Sequence, residues 1–143
     1  MQRIRKSLLV PHSAERMFNL VDRVEDYPKF LPWCGGINVH ERTDEMLDVT
    51  VHIEFLKVKT FFRTRDIREP FSRIDMQFAD GPFKALHGEW TFTALDEDAC
   101  KIEFALDYEF SNRMIEAVIG PVFSRITNTF VDAFITRADK LYD

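Results

Sequence analysis

Four histidines (His12, His40, His52 and His87), two cysteines and 24 carboxylates are the side chains from which this 143-residue chain would build acid–base, nucleophilic or metal chemistry. A general acid/base site needs titratable groups converging on one cavity within hydrogen-bond reach. Strand alternation points His52 and His87 away from the apolar face and His40 outward, opposite Ile37 and Val39, while His12 lies beside a helix start. The charged residues of inward parity are Glu41, Asp66, Lys6 and Arg68; all fall near strand ends, where they read as rim charges rather than catalysts. No GxSxG, HExxH or close Cys/His cluster occurs, so no nucleophile elbow, zinc site or other metal ligand set is expected. Cys34 and Cys100 lie far apart without CxxC spacing and are expected as free thiols in a reducing cytoplasm. The chain is therefore expected not to be an enzyme.

Binding chemistry is better represented. Lys57, Lys59, Arg63 and Arg65 are read on one face of a single strand with Phe61 among them, a basic stripe with an interleaved aromatic, which rRNA or anionic lipid headgroups would attract. The plainer reading is a solvated outer sheet face, since acidic residues are abundant nearby. A net charge of −5 argues against a whole surface that grips nucleic acid, and no DNA partner is expected. Fourteen Phe suit either a large core or an apolar cavity wall.

The elements that must position these groups are legible from periodicity. Asn112 to Tyr142 reads as one long helix with a stripe of Ile115, Val118, Val122, Ile126, Phe130, Phe134 and Leu141, widened by Ile119, Phe123, Ala133 and Ala138. Pro121 removes a backbone donor and crowds the carbonyl of Ala117, a defect of about 3 kcal/mol in a helix interior, so Gly120-Pro121 predicts a kink or brief break. Before that helix come a strand from Gln2 to Val10, a helix N-capped by Ser13 with Met17, Phe18, Leu20 and Val21 on its apolar face, and a short helix from about Val24 to Leu31. From Ile37 the period is two: Leu47 to Phe55, Val58 to Arg68, Ser72 to Phe78, Leu86 to Ala94 and Cys100 to Phe110 alternate between short turns. Hairpin turns demand antiparallel pairing, so the fold class is α+β, a helix-grip sheet of about seven strands around the C-terminal helix. The basic N-terminus leads only into Leu8-Leu9-Val10 before Pro11, too short for a signal peptide, and charges interrupt every apolar run, so no membrane span is expected.

Between helix and sheet, Gly88 and Ala94 sit at inward parity among Leu86, Trp90 and Phe92 and would leave volume for a ligand; alternatively Gly88 marks a bulge where the sheet bends. Phe30, Pro32 and Trp33 in one loop, and Pro82 and Phe83 in another, read as apolar tips that line an entrance, touch a membrane surface or cap the open end of the core.

The run Tyr27-Pro28-Lys29-Phe30-Leu31-Pro32-Trp33-Cys34 and the run Asp80-Gly81-Pro82-Phe83-Lys84-Ala85-Leu86, with Trp90 four residues on, resemble the coenzyme Q-binding START-domain family, often labelled polyketide cyclase or dehydrase, in its bacterial ribosome-association toxin branch. The resemblance covers nearly the whole chain. It implies one START-like domain over residues 1–143, like the birch-pollen-allergen proteins, with an apolar cavity between sheet and C-terminal helix. It also implies a non-enzymatic role: binding ubiquinone or a polyprenyl quinone precursor in support of respiration, with no cofactor beyond such a bound isoprenoid lipid. The alternative it implies is a translation inhibitor that binds the large ribosomal subunit and blocks subunit association. The expected location is cytoplasmic or membrane-peripheral. On this reading Phe30, Trp33, Phe62, Phe78, Phe83, Leu86, Gly88, Trp90, Phe104, Leu106, Val122, Ile126 and Phe130 face the ligand, and Lys57, Lys59, Arg63 and Arg65 meet RNA or lipid headgroups.

Overall fold

Alternating apolar residues joined by tight turns fold here into a single antiparallel sheet. The computed structural model describes residues 1–142. Seven strands, β1 (Gln2–Val10), β2 (Cys34–Arg42), β3 (Met46–Phe55), β4 (Val58–Glu69), β5 (Arg73–Asp80), β6 (Phe83–Asp96) and β7 (Ala99–Phe110), lie in the order β1-β7-β6-β5-β4-β3-β2. The six consecutive strands form a meander, and β1 closes on its last member in the register Gln2↔Tyr108 to Val10↔Cys100. Between β3 and β4 the turn residues Leu56 and Lys57 both have positive φ, the signature of a tight hairpin turn whose twist matches its strands. At the β5–β6 turn Gly81 has φ 142°, and a Cβ there would lie 3.0 Å from the carbonyl oxygen of Phe61, so both conformation and space require glycine.

The inner sheet face is continuous apolar surface. Leu47, Val49, Val51 and Ile53 of β3, Ile74 of β5, Trp90 and Phe92 of β6, and every second residue of β7 from Cys100 to Phe110 are buried. Helix α1 (Ala14–Asp22) starts where the Ser13 hydroxyl oxygen accepts the Arg16 N–H at 3.1 Å, and it buries Met17, Phe18, Leu20 and Val21 over one end of the sheet. The expected second helix is instead a 3-10 turn (Val24–Asp26) followed by α2 (Tyr27–Phe30), with Pro28 in the first turn, where its missing donor costs nothing.

Helix α3 (Arg113–Tyr142) is capped by Asn112, whose Oδ1 accepts the Ile115 N–H at 2.9 Å. It runs through Pro121 without a break: Val122 and Phe123 are buried against the sheet immediately after it, and that packing offsets the lost hydrogen bond. The buried face is Val122, Phe123, Ile126, Thr127, Val131, Phe134 and Ala138. Val118 and Leu141, expected on the stripe, are exposed, and Thr127 and Val131 take inward positions. A straight helix drifts by about 20° per seven residues against a fixed heptad stripe, so its ends leave the face that its middle buries. No helix among the described residues is long and apolar enough to cross a membrane. The architecture is the α+β helix grip.

Candidate ligand cavity

Where α3 crosses the concave sheet, packing is incomplete. A cavity of about 70 Å³, measured as the space open to the centre of a water-sized sphere, lies between them. One water needs roughly 10–15 Å³ on that measure, so several waters or a small ring fit without rearrangement. Its walls come from α1 and the turn after it (Val21, Asp22, Val24), Tyr27, Trp33, β3 (Leu47, Val49, Val51), β4 (Phe62, Thr64, Asp66), β5 (Ile74, Met76), β6 (Leu86, Trp90), β7 (Phe104, Leu106) and α3 (Phe123, Ile126, Thr127, Phe130). Trp33, Phe62, Leu86, Trp90, Phe104, Leu106, Ile126 and Phe130 of the expected ligand residues therefore meet in one wall.

The others lie elsewhere. Phe30 packs edge-on against Tyr27 and Phe134 at 6.0 and 5.2 Å. Phe78 and Phe83 join Phe110 and Phe123 in a packed aromatic cluster, with Phe83 5.0 Å from both Phe110 and Phe123. Val122 is buried outside the lining. Gly88 leaves no free volume: a Cβ there would fall 2.3 Å from the Met76 methyl and 3.2 Å from Leu106 Cδ1, so Met76 already fills the groove. Ala94 is exposed, at an irregularity where β6 leaves register with β7. The loop aromatics Trp33 and Phe83 are buried, so they are not tips free to touch a membrane.

The one titratable group that sequence position mislabelled is Asp66. It is no rim charge. β4 extends to Glu69, and Asp66 is paired on both sides, with Leu47 and with Met76, leaving it 6% exposed. The Thr64 hydroxyl donates to its Oδ1 at 2.8 Å, and its Oδ2 has no hydrogen-bond partner among the described residues. Burial, with Asp22 and Asp75 adding repulsion against the opposing pull of Thr64 and Arg68, raises this carboxyl to about 7. The signal was present: Phe62, Thr64 and Asp66 share one parity.

Around it the polar groups are mutually engaged, except that Arg68 Nε is buried without a hydrogen-bond partner. Asp22 accepts two hydrogen bonds from Arg68 Nη1 at 2.9 and 2.7 Å, and Arg68 Nη2 donates to the Thr43 carbonyl. The Tyr27 hydroxyl donates to the Val21 carbonyl, and burial first, then Asp66, holds its acidity well below that of a free phenol. Of the remaining inward-parity charges, Lys6 donates to the Asn128 carbonyl at 3.1 Å and Glu41 is exposed. The histidines lie outside the lining; His12 is buried 2.7 Å from Asp139 of α3. Burial pushes the Cys34 thiol up and that of Cys100 to about 11, which leaves both as poor nucleophiles.

On the outer face the basic stripe is threaded with acids. Arg63 forks onto Asp48 through Nε and Nη2 at 2.8 and 2.7 Å, Arg65 lies 3.8 Å from the same carboxylate, and Lys59 lies 3.6 Å from Glu54. Lys57 is a turn residue rather than a member of the strand face.

The model of the family described as polyketide cyclase / dehydrase and lipid transport matches residues 10–135. The chain belongs to this family. Among its relatives is the ribosome association toxin RatA of Vibrio cholerae, 42% identical over 142 residues that cover 99% of each chain. The mitochondrial coenzyme Q-binding protein COQ10 of Drosophila melanogaster is 27% identical over 139 residues, 94% of this chain and 57% of that protein. In three dimensions the Zhui aromatase/cyclase of a Streptomyces species superimposes with a TM-score of 0.82 over 97% of this chain and 94% of its own, at 16% identity, a likeness of fold alone. The polyketide-cyclase and lipid-transport family thus supplies both the helix-grip architecture and relatives with two differently named roles.

Proposed function

We propose that this family member binds a hydrophobic ligand of the quinone or isoprenoid class, without catalysis, in the cavity under α3. The observation that carries this is the wall itself: Trp33, Phe62, Trp90, Phe104 and Phe130 surround a space with few polar groups, suited to a flat ring. The name of the Drosophila relative supports the quinone class. A binding role fits because Asp66 stands without a second free acid or base beside it, Asp22 and Tyr27 being occupied. The present volume takes a ring rather than a long tail, so a tail would have to displace Met76.

Two measurements test the reading. Organic extraction of the purified protein followed by mass spectrometry should release an isoprenoid lipid, and a short-tailed ubiquinone analogue should bind saturably. Met76→Ala should tighten that binding roughly fivefold, because ligand methylene groups then bury in the vacated groove at about 0.8 kcal/mol each. Wild-type protein without saturable binding would sink the proposal.

A second reading, that the protein binds the large ribosomal subunit and blocks subunit association, is favoured by the name and 42% identity of the Vibrio relative. If the stripe carries it, changing Lys57, Lys59, Arg63 and Arg65 to Gln should abolish co-sedimentation with large subunits, and wild-type binding should fall steeply as salt rises. Restoring Arg63 alone should recover little, since Asp48 occupies it. Wild-type protein that fails to co-sediment at low salt removes this reading.

A further inference from the structure

Asp66 has a property the apolar walls do not explain. It is 6% exposed in the lining of the cavity, its Oδ1 is fixed by the Thr64 hydroxyl at 2.8 Å, and its Oδ2 has no partner among the described residues. Oδ2 is not among the fully enclosed unpartnered atoms, so the little surface Asp66 keeps leaves this acceptor open to the cavity it lines, where a donor on a bound molecule can reach it. Of the neighbouring donors, the Tyr27 hydroxyl is given to Val21 and the Arg68 Nη groups to Asp22 and Thr43, while Arg68 Nε is buried without a partner and makes no hydrogen bond to Asp66. A molecule in the cavity, water or ligand, is what Oδ2 is placed to accept from.

We propose that Asp66 is the polar anchor of the cavity, accepting through Oδ2 a hydrogen from a hydroxyl group on an aromatic ring held between Trp90, Trp33 and Phe130. The inference rests on the reading of the cavity as a ligand site and refines the ligand's head: within the quinone class, a hydroxyl-bearing ring, the hydroquinone or a phenol, is held more tightly than the quinone itself. A neutral hydroxyl suits the site better than an ammonium group, whose desolvation the apolar walls would not compensate. Specificity follows from the same asymmetry. A ring ether seated over Oδ2 would cut it off from water and leave it unpaired, whereas a ring hydroxyl satisfies it. The groups that set the charge of Asp66 are Thr64 and Arg68 on its own strand, Asp22 at the end of α1 and Asp75 on β5, with Asp22 and Asp75 opposing ionisation and the other two favouring it.

The test compares para-cresol with its methyl ether, para-methylanisole, followed by the indole N–H signals of Trp33 and Trp90 in two-dimensional NMR. Wild-type protein at about pH 8 should bind the phenol roughly tenfold more tightly than the ether, the usual scale for a hydrogen bond to a charged acceptor. That preference should shrink at about pH 5.5, where the carboxyl is protonated and a weaker acceptor. Asp66→Asn, which keeps the size of the side chain, should bring the two affinities within about twofold. Equal binding of phenol and ether by wild type at the higher pH, or a preference that Asp66→Asn retains, would overturn the anchor while leaving the cavity as a ligand site. If neither probe shifts either indole signal at saturation, the ligand-site reading itself falls, and the anchor with it. The pH series on wild type needs no variant, so the result does not depend on how the substitution folds.

Discussion

Asp66→Asn is expected to make the protein more stable at neutral and alkaline pH while leaving it nearly unchanged in acid. The carboxyl ionises near 3.8 in the unfolded chain and near 7 in the folded one, because burial, Asp22 and Asp75 all oppose its charge. A folded-state value above the unfolded one means that the native protein holds this proton more tightly, so the contribution of Asp66 is fully present below about pH 3.8 and lost as pH rises through about 7. The difference between about 7 and 3.8, at about 1.4 kcal/mol per pH decade, is on the order of 4 kcal/mol. With the side chain 6% exposed, solvent does little to reduce it. Asparagine is neutral at every pH and its amide oxygen keeps the Thr64 hydrogen bond, so the variant escapes this loss. Denaturant melts of both proteins between about pH 4 and pH 8 check the sign: their stabilities should diverge as pH rises. Parallel curves, or a variant less stable than wild type at the upper end, would mean that the carboxyl is solvated in solution. The acid limb has other owners. Asp48 and Asp107 are held below the usual carboxylate range, the first by hydrogen bonds from Arg63 and the second by the Arg5 guanidinium 2.9 Å away, so they contribute above about pH 3.8 and weaken the protein as pH falls further.

The error about Asp66 shows how far sequence reaches. Alternation reports which way a side chain points, and it placed Phe62, Trp90, Phe104 and Leu106 correctly on the concave face. It does not report how deep in the sheet a strand position lies, because depth depends on pairing with strands distant in the chain. Asp66 sits three residues from the end of β4 yet has a neighbour on each side. Nor does it report reach. Gly88 faces inward as expected, but whether that creates a void depends on the rotamer of Met76, a flexible side chain on the next strand that lies across it. The same limit applies to the phenylalanines: Phe78 and Phe104 share inward parity and Phe83, expected at a loop tip, is turned inward by an irregularity between Phe83 and Ala85, and only the arrangement around Phe123 decides that Phe78 and Phe83 seal the core while Phe104 lines the cavity. Local signals fared better. The Ser13 cap and the tight hairpins are set by a few adjacent residues. Pro121 is the exception, since tertiary packing of Val122 and Phe123 overrides a local penalty.

Trp90→Ala should be among the most damaging single substitutions, and ligand should partly reverse it. Trp90 is 1% exposed and touches aromatic rings on three elements: Phe92 on its own strand, Phe104 on β7 at 4.7 Å, and Phe130 and Phe134 on α3 at 5.6 and 5.4 Å. It therefore ties the sheet to the helix that grips it. Truncating such a residue costs about 3 to 5 kcal/mol, a large share of the roughly 5 to 15 kcal/mol that holds a domain of this size together. Trp33→Ala should cost less, because Trp33 has a single close aromatic neighbour, Phe130 at 6.0 Å. The position of Trp90 adds a consequence that an ordinary core residue would lack. The void left by its indole opens directly into the existing cavity, so the two merge into one apolar space able to accept a free indole molecule. Thermal melts with and without millimolar indole should show the variant recovering stability in proportion to ligand concentration, with wild type responding far less. A loss under about 1 kcal/mol would show that the aromatic hub does not couple sheet to helix. A large loss that indole leaves untouched would show that α3 collapses into the vacancy, so that the grip is set by the helix rather than by the ring beneath it.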